Sequence, residues 1–134
     1  MSREVNLDAQ KKLGELLNNH EVDRLDEVFD NNVVDHDPAP EQAPGGQGIK
    51  DFWNQFLSAF PDLKIQPEAQ VADEEHVTVV LTVTGTHQGT FQGIEPTGKR
   101  FTARGIQVGR FANGKIVERW GATDVAGILN QLGQ

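Results

Sequence analysis

The sequence contains no cysteine. A disulfide framework, a thiolate nucleophile and a cysteine-ligated zinc site are therefore excluded, a reducing compartment is compatible, and any chemistry must use oxygen and nitrogen groups. No stretch approaches the ~20 apolar residues that span a bilayer. Met1-Ser2-Arg3-Glu4 runs into polar sequence with no apolar signal-peptide core, so the expectation is a soluble, cytoplasmic protein with no membrane partner. Positive charge is also scarce: twelve Lys and Arg stand against twenty Asp and Glu, a net charge of -8. That balance disfavours attraction to phosphate backbones or anionic membranes, and nucleic acid is not expected as a partner.

Repeats, linkers and low-complexity segments are absent too, and 134 residues suffice for one core, so a single domain over 1–134 is expected. The charge is uneven. Residues 1–75 carry seventeen acidic and six basic side chains, and residues 76–134 carry three and six. A solvated acidic helical layer beside a nearly neutral sheet explains this.

Two short amphipathic helices are predicted first, one from Ala9 to His20 through Leu13, Leu16 and Leu17, the next through Val22, Leu25, Val28 and Phe29. Val33 and Val34 make a brief extended piece. The following loop to Gly48, with Pro38, Pro40, Pro44, Gly45 and Gly46, forbids regular structure and is a candidate rim. Ile49, Phe52, Trp53, Phe56, Leu57 and Phe60 then mark a third helix, stopped by Pro61.

Strand texture follows at Leu63 to Val71, Val77 to Thr86, Lys99 to Phe111 and Lys115 to Thr123, with Asn113-Gly114 as a hairpin turn between the last two. Asp124 caps a last short helix, Val125 to Leu132. Helices first and strands after imply an α+β fold: a curved antiparallel sheet with three N-terminal helices over its concave face and a short C-terminal helix. The uncovered part of such a face would be a mostly apolar pocket with a few polar groups.

Gly85-Thr86-His87-Gln88-Gly89-Thr90-Phe91, then Pro96-Thr97-Gly98-Lys99, Phe111 to Lys115, Glu118 to Trp120, Asp124 and Gln131-Leu132-Gly133 together resemble the SnoaL-like polyketide (ester) cyclase family. Asp35-His36-Asp37-Pro38 and Ala59-Phe60-Pro61-Asp62-Leu63 resemble its upstream signatures. The resemblance implies the nuclear-transport-factor-like cone, also seen in ketosteroid isomerases and limonene epoxide hydrolases. It further implies cofactor-free ring closure of an ester by intramolecular aldol condensation. In the aldol cyclases the acid/base is an aspartate on the last strand, aided by a histidine on the strand before. Matching Gly85 to Gly133 without gaps puts Gly121 and Gln107 in those two places.

An enzyme of this type must draw its base and its oxygen donor from elsewhere. His36, between two carboxylates, is one candidate base, with Asp35 or Asp37 as substitutes; a polar turn is the structural alternative. Asp124 is another candidate base, although Asp before Val125-Ala126-Gly127-Ile128-Leu129 is first of all the pattern of an N-cap. His87 is a candidate donor or a turn residue bonded to backbone. Phe52 and Phe56 are candidate substrate contacts that could instead be core. Parity groups Gln107 with Phe101, Ala103 and Gly105, and Arg104 with Ile106, Val108 and Arg110; the resemblance implies that the first set, with Phe101 and Gln107, lines the cavity, and Trp120 is a candidate wall residue. No metal or cofactor site is expected.

The expected function is a cofactor-independent enzyme acting on a hydrophobic carbonyl or aromatic compound by cyclisation, isomerisation or hydration. A non-catalytic binding module that lost the aspartate/histidine pair is the alternative. An epoxide hydrolase relative would require a buried Asp/Arg/Asp cluster, with Arg104 or Arg119 as its arginine. Association through the convex sheet face, using Ile106 and Val108, suggests a homodimer or higher homo-oligomer.

Overall fold

The computed structural model describes residues 2–134; Met1, the first residue of the expected 1–134 domain, lies outside them. The first helix, α1 (Arg3–Asn18), begins earlier than its leucine stripe suggested, because the Ser2 hydroxyl accepts the Val5 amide and caps it. Its polar first turns carry no hydrophobic signal. Two asparagines fasten it. Asn18 exchanges a pair of hydrogen bonds with the Ile65 backbone, and Asn6, fully buried, donates to the carbonyls of Asp73 and Glu74.

The second expected helix is a 3-10 helix, Val22–Glu27, that still buries Val22 and Leu25. Strand β1 (Phe29–Asp35) follows, and then α2 (Gly45–Ala59). Gly45 takes φ +75°, and a Cβ there would lie 2.7 Å from the Asn31 carbonyl oxygen, so glycine is required where α2 starts against β1.

The remaining strands are β2 (Lys64–Ala72), β3 (His76–Thr86), β4 (Arg100–Ala112) and β5 (Lys115–Thr123), in the sheet order β1-β5-β4-β3-β2. Four strands match the sequence expectation closely. Asn113 (φ 53°) and Gly114 (φ 79°) form the turn between β4 and β5. The sheet departs from all-antiparallel pairing at one edge: β1 runs parallel to β5, with Val34 beside Glu118 and Asp35 beside Arg119. Asp30, Asn31 and Asn32 are poor strand formers, which hid the start of β1; pairing with β5 holds them extended.

β3 and β4 pair from His76↔Arg110 to Thr86↔Arg100, so alternation divides the sheet cleanly. Val77, Val79, Val83, Phe101, Ala103 and Phe111 are buried on the concave side. Phe60 and Phe101 pack edge to face at 4.7 Å, joining the end of α2 to the sheet. α3 (Val125–Gln131) closes the far end, burying Ile128 and Leu132, which follows it, while Gln131 bonds both backbone groups of Thr102. Among the described residues no helix is long and apolar enough to cross a membrane.

Candidate functional site

Between α1, α2 and the concave sheet face lies a cavity of about 330 Å³. Leu13 and Leu17 line it from α1, and Ile49, Phe52, Trp53 and Phe56 from α2. Ile65, Leu81 and Val83 form its floor, and Phe91 and Gln92 come from the loop between β3 and β4. Polar side chains gather around β1 and β5, where Asp35, Asp37, Gln42, Gln107 and Arg119 line the wall.

The alternation of β1 sets which residues enter. Val33 is buried and Val34 is half exposed, so Asp35 faces inward with Val33 and His36 faces outward with Val34. Asp37 turns back toward the cavity and its Oδ2 accepts the Gly121 amide at 2.9 Å.

Asp35 is a buried carboxylate with a full set of partners. Its side chain is 8% exposed, and Oδ1 accepts Arg119 Nη1 at 2.7 Å and the Asp37 amide at 3.0 Å. Oδ2 accepts Gln42 Nε2 at 2.9 Å, while Gln42 Oε1 accepts the Ala39 amide at 3.0 Å and ties down the 35–42 loop. The second arm of Arg119, Nη2, donates to Gln107 Oε1. That oxygen is taken, and among the described residues the Gln107 Nε2 donors have no protein partner, so they are free for a ligand of the cavity that Gln107 lines.

Gly121 pairs with Gln107 across the β4–β5 ladder. A Cβ at Gly121 would sit 2.3 Å from Gln107 Oε1 and 2.7 Å from Arg119 Nη2. The Gln107–Arg119 pair thus fills the space a side chain at 121 would use.

Of the residues singled out from sequence, Phe52, Phe56 and Gln107 line the cavity. Five others do not. His36 lies on the convex face, stacked on Trp120 at 4.7 Å, with Nε2 2.8 Å from Glu118 Oε2. The His36 contact and then the hydrogen bond from Arg110 hold the Glu118 carboxyl below its ordinary pKa. Trp120 shares that outward parity, opposite to Gly121. Asp124 is the N-cap of α3, accepting the Gly127 amide at 2.9 Å. His87 is fully buried beneath the loop, its Nδ1 accepting the Thr97 amide at 3.1 Å, and Phe101 is packed into the core.

Sequence reasoning named Asp35, Asp37 and Arg119 only as secondary candidates. The contrast between Val33 and Val34 would have assigned the aspartates inward, had either valine's side been known. Among the described residues no three His, Asp or Glu side chains gather as a metal-ligand set.

With this geometry, the sequence matches the SnoaL-like polyketide cyclase family over residues 7–132. The chain belongs to that family. Among solved structures it is similar to IdmH, a candidate polyketide cyclase from Streptomyces antibioticus, with 28% identity over 96% of this chain and 99% of that one (TM-score 0.84). AclR, a candidate hydroxylase from Streptomyces galilaeus, is 27% identical over 98% of both chains (TM-score 0.87). TsrD from Streptomyces laurentii shares the fold at TM-score 0.90 with 21% identity, covering 99% of this chain and 98% of that one. No curated protein matches the sequence.

Proposed function

We propose that this SnoaL-like protein is a cyclase-type enzyme acting on a hydrophobic carbonyl compound by proton transfer beside the carbonyl. Cyclisation, isomerisation and hydration all use that step. The carrying observation is the bonding of Gln107, which lines an apolar, aromatic-walled cavity: Arg119 occupies its Oε1, and among the described residues its Nε2 donors have no protein partner. A ligand would bury its carbon skeleton against Phe52, Trp53 and Phe56 and set its oxygen on Gln107. The same donor would stabilise negative charge growing on that oxygen.

Titration with 2-tetralone, an aromatic ketone with acidic α-protons, tests this through Trp53 fluorescence in a Trp120→Phe background. Gln107→Leu removes the donor and is expected to weaken binding about tenfold, the worth of one well-made hydrogen bond. Equal affinity in the two proteins would contradict the proposal.

A binding-only role is favoured by the resemblance to the aldol cyclases, which puts Gly121 and Gln107 in the places of their aspartate and histidine. It predicts binding with no α-proton exchange. A homodimer through the convex sheet face, where Ile106 and Val34 are exposed, is a separate proposal that sedimentation equilibrium tests.

A further inference from the structure

We infer that Asp37 is the base of this site, its Oδ1 taking a proton from the α-carbon of the bound carbonyl compound while its Oδ2 rests on the Gly121 amide. This rests on the proposed proton-transfer function.

Three ionisable side chains line the cavity: Asp35, Asp37 and Arg119. Arg119 is a guanidinium and cannot serve as a base near neutral pH. Asp35 has both oxygens committed, and its charge is matched by Arg119 at 2.7 Å. Taking up a proton there would break the ion pair and leave a half-buried guanidinium uncompensated. Asp37 differs in both respects. Only its Oδ2 is engaged, by Gly121, and among the described residues no protein donor reaches Oδ1.

The anchor point is informative. Gly121 has no side chain, so the sheet supplies only a backbone amide at this point of the cavity wall. The carboxylate arrives instead from the chain just beyond β1, across the β1–β5 edge, and lands on that amide. The glycine, the Gln107–Arg119 pair that fills its space and the imported carboxylate are parts of one arrangement.

The step balances simply. The α-C–H bond breaks, its proton goes to Asp37 Oδ1 to make a carboxylic acid, and the electron pair moves into an enolate whose oxygen is held by Gln107 Nε2. The enolate carbon then takes the proton back from Asp37, or attacks a second carbonyl carbon of the same molecule, whose C=O electron pair moves to its oxygen and takes the Asp37 proton. Asp37 is exposed at the cavity mouth, so its acid proton exchanges with bulk water.

That exchange supplies the test. 2-Tetralone in D2O is followed by proton NMR, with buffer alone as baseline. Wild-type protein is expected to accelerate loss of the α-proton signal, and Asp37→Asn to lower the protein-dependent rate by about 100-fold, the lower range for a positioned base. Binding of the ketone is measured on the same samples. Asp37→Gly with added formate separates chemistry from folding: formate should restore exchange in this variant and leave Asp124→Ala, the control, unaffected. Undiminished exchange in Asp37→Asn, or no formate rescue of Asp37→Gly, overturns the assignment of Asp37 even where ketone binding stands. A wild-type protein that binds the ketone without exchanging it also overturns the assignment and leaves the binding-only role. Failure of the wild-type protein to bind the ketone overturns the assignment together with the proposed function.

Discussion

Arg119 Nη2 donates to Gln107 Oε1, and the pair occupies the space above the Cα of Gly121. One contact therefore fixes the orientation of an amide, closes the place of a missing side chain and links the sheet to the ion pair with Asp35. Its parts make separable predictions.

Gly121→Ala inserts a methyl group against Gln107 Oε1 and Arg119 Nη2, both tips of flexible side chains. The tips can swing aside, so the fold should survive with a melting temperature within a few degrees of wild type. The amide orientation should not survive. Affinity for 2-tetralone is expected to fall about tenfold, as in Gln107→Leu; calorimetric titration beside a thermal melt separates the two effects.

Arg119→Met leaves the Asp35 carboxylate buried without its counter-charge. A loss of about 3 kcal/mol in urea denaturation is expected, the usual cost of breaking one side of a buried pair. Adding Asp35→Asn removes the orphaned charge, so the double variant should be more stable than the sum of the single losses requires.

Asp124→Ala removes the cap of α3 and should cost about 1 kcal/mol. Because the Asp124 carboxylate faces the α3 amides and lies outside the cavity lining, ketone binding should be unchanged. A changed affinity at equal stability would return Asp124 to the site.

Asp62 gives the pH dependence. Its carboxylate accepts the Thr86 hydroxyl and the Thr86 amide, each at 2.7 Å, and the hydroxyl bond is the main cause holding its pKa below the ordinary value. A depressed folded-state pKa contributes stability above the unfolded value, about pH 4, that is lost as pH falls through the folded value. The gap in urea midpoint between wild type and Asp62→Asn should therefore be full at pH 6 and shrink steadily below pH 4.

Much of the fold was legible because strong periodic signals coincided with burial. The stripe from Ile49 to Phe60 and the alternation of β3 and β4 each name their buried face directly. What stayed hidden had weak local signals and was fixed by distant partners. The first turns of α1 are polar and depend on Ser2 and Asn6, and β1 contains Asp30-Asn31-Asn32 and exists through parallel pairing with β5. The site inherited that difficulty. His36 drew attention through its chemistry, yet one step of strand parity sends it to the convex face and brings its two neighbours inward. Parity on β4 left two faces open, and the family resemblance chose the one with Gln107, whereas its partner Arg119 depended on knowing which face of β5 looks inward.

The most direct test of the account is the carbonyl chemical shift of 2-tetralone labelled with 13C at its carbonyl and bound to the protein. A downfield shift relative to the free ketone, abolished in Gln107→Leu and retained in Asp37→Asn, is the predicted result. A bound carbonyl with the same shift in wild type and Gln107→Leu would contradict it.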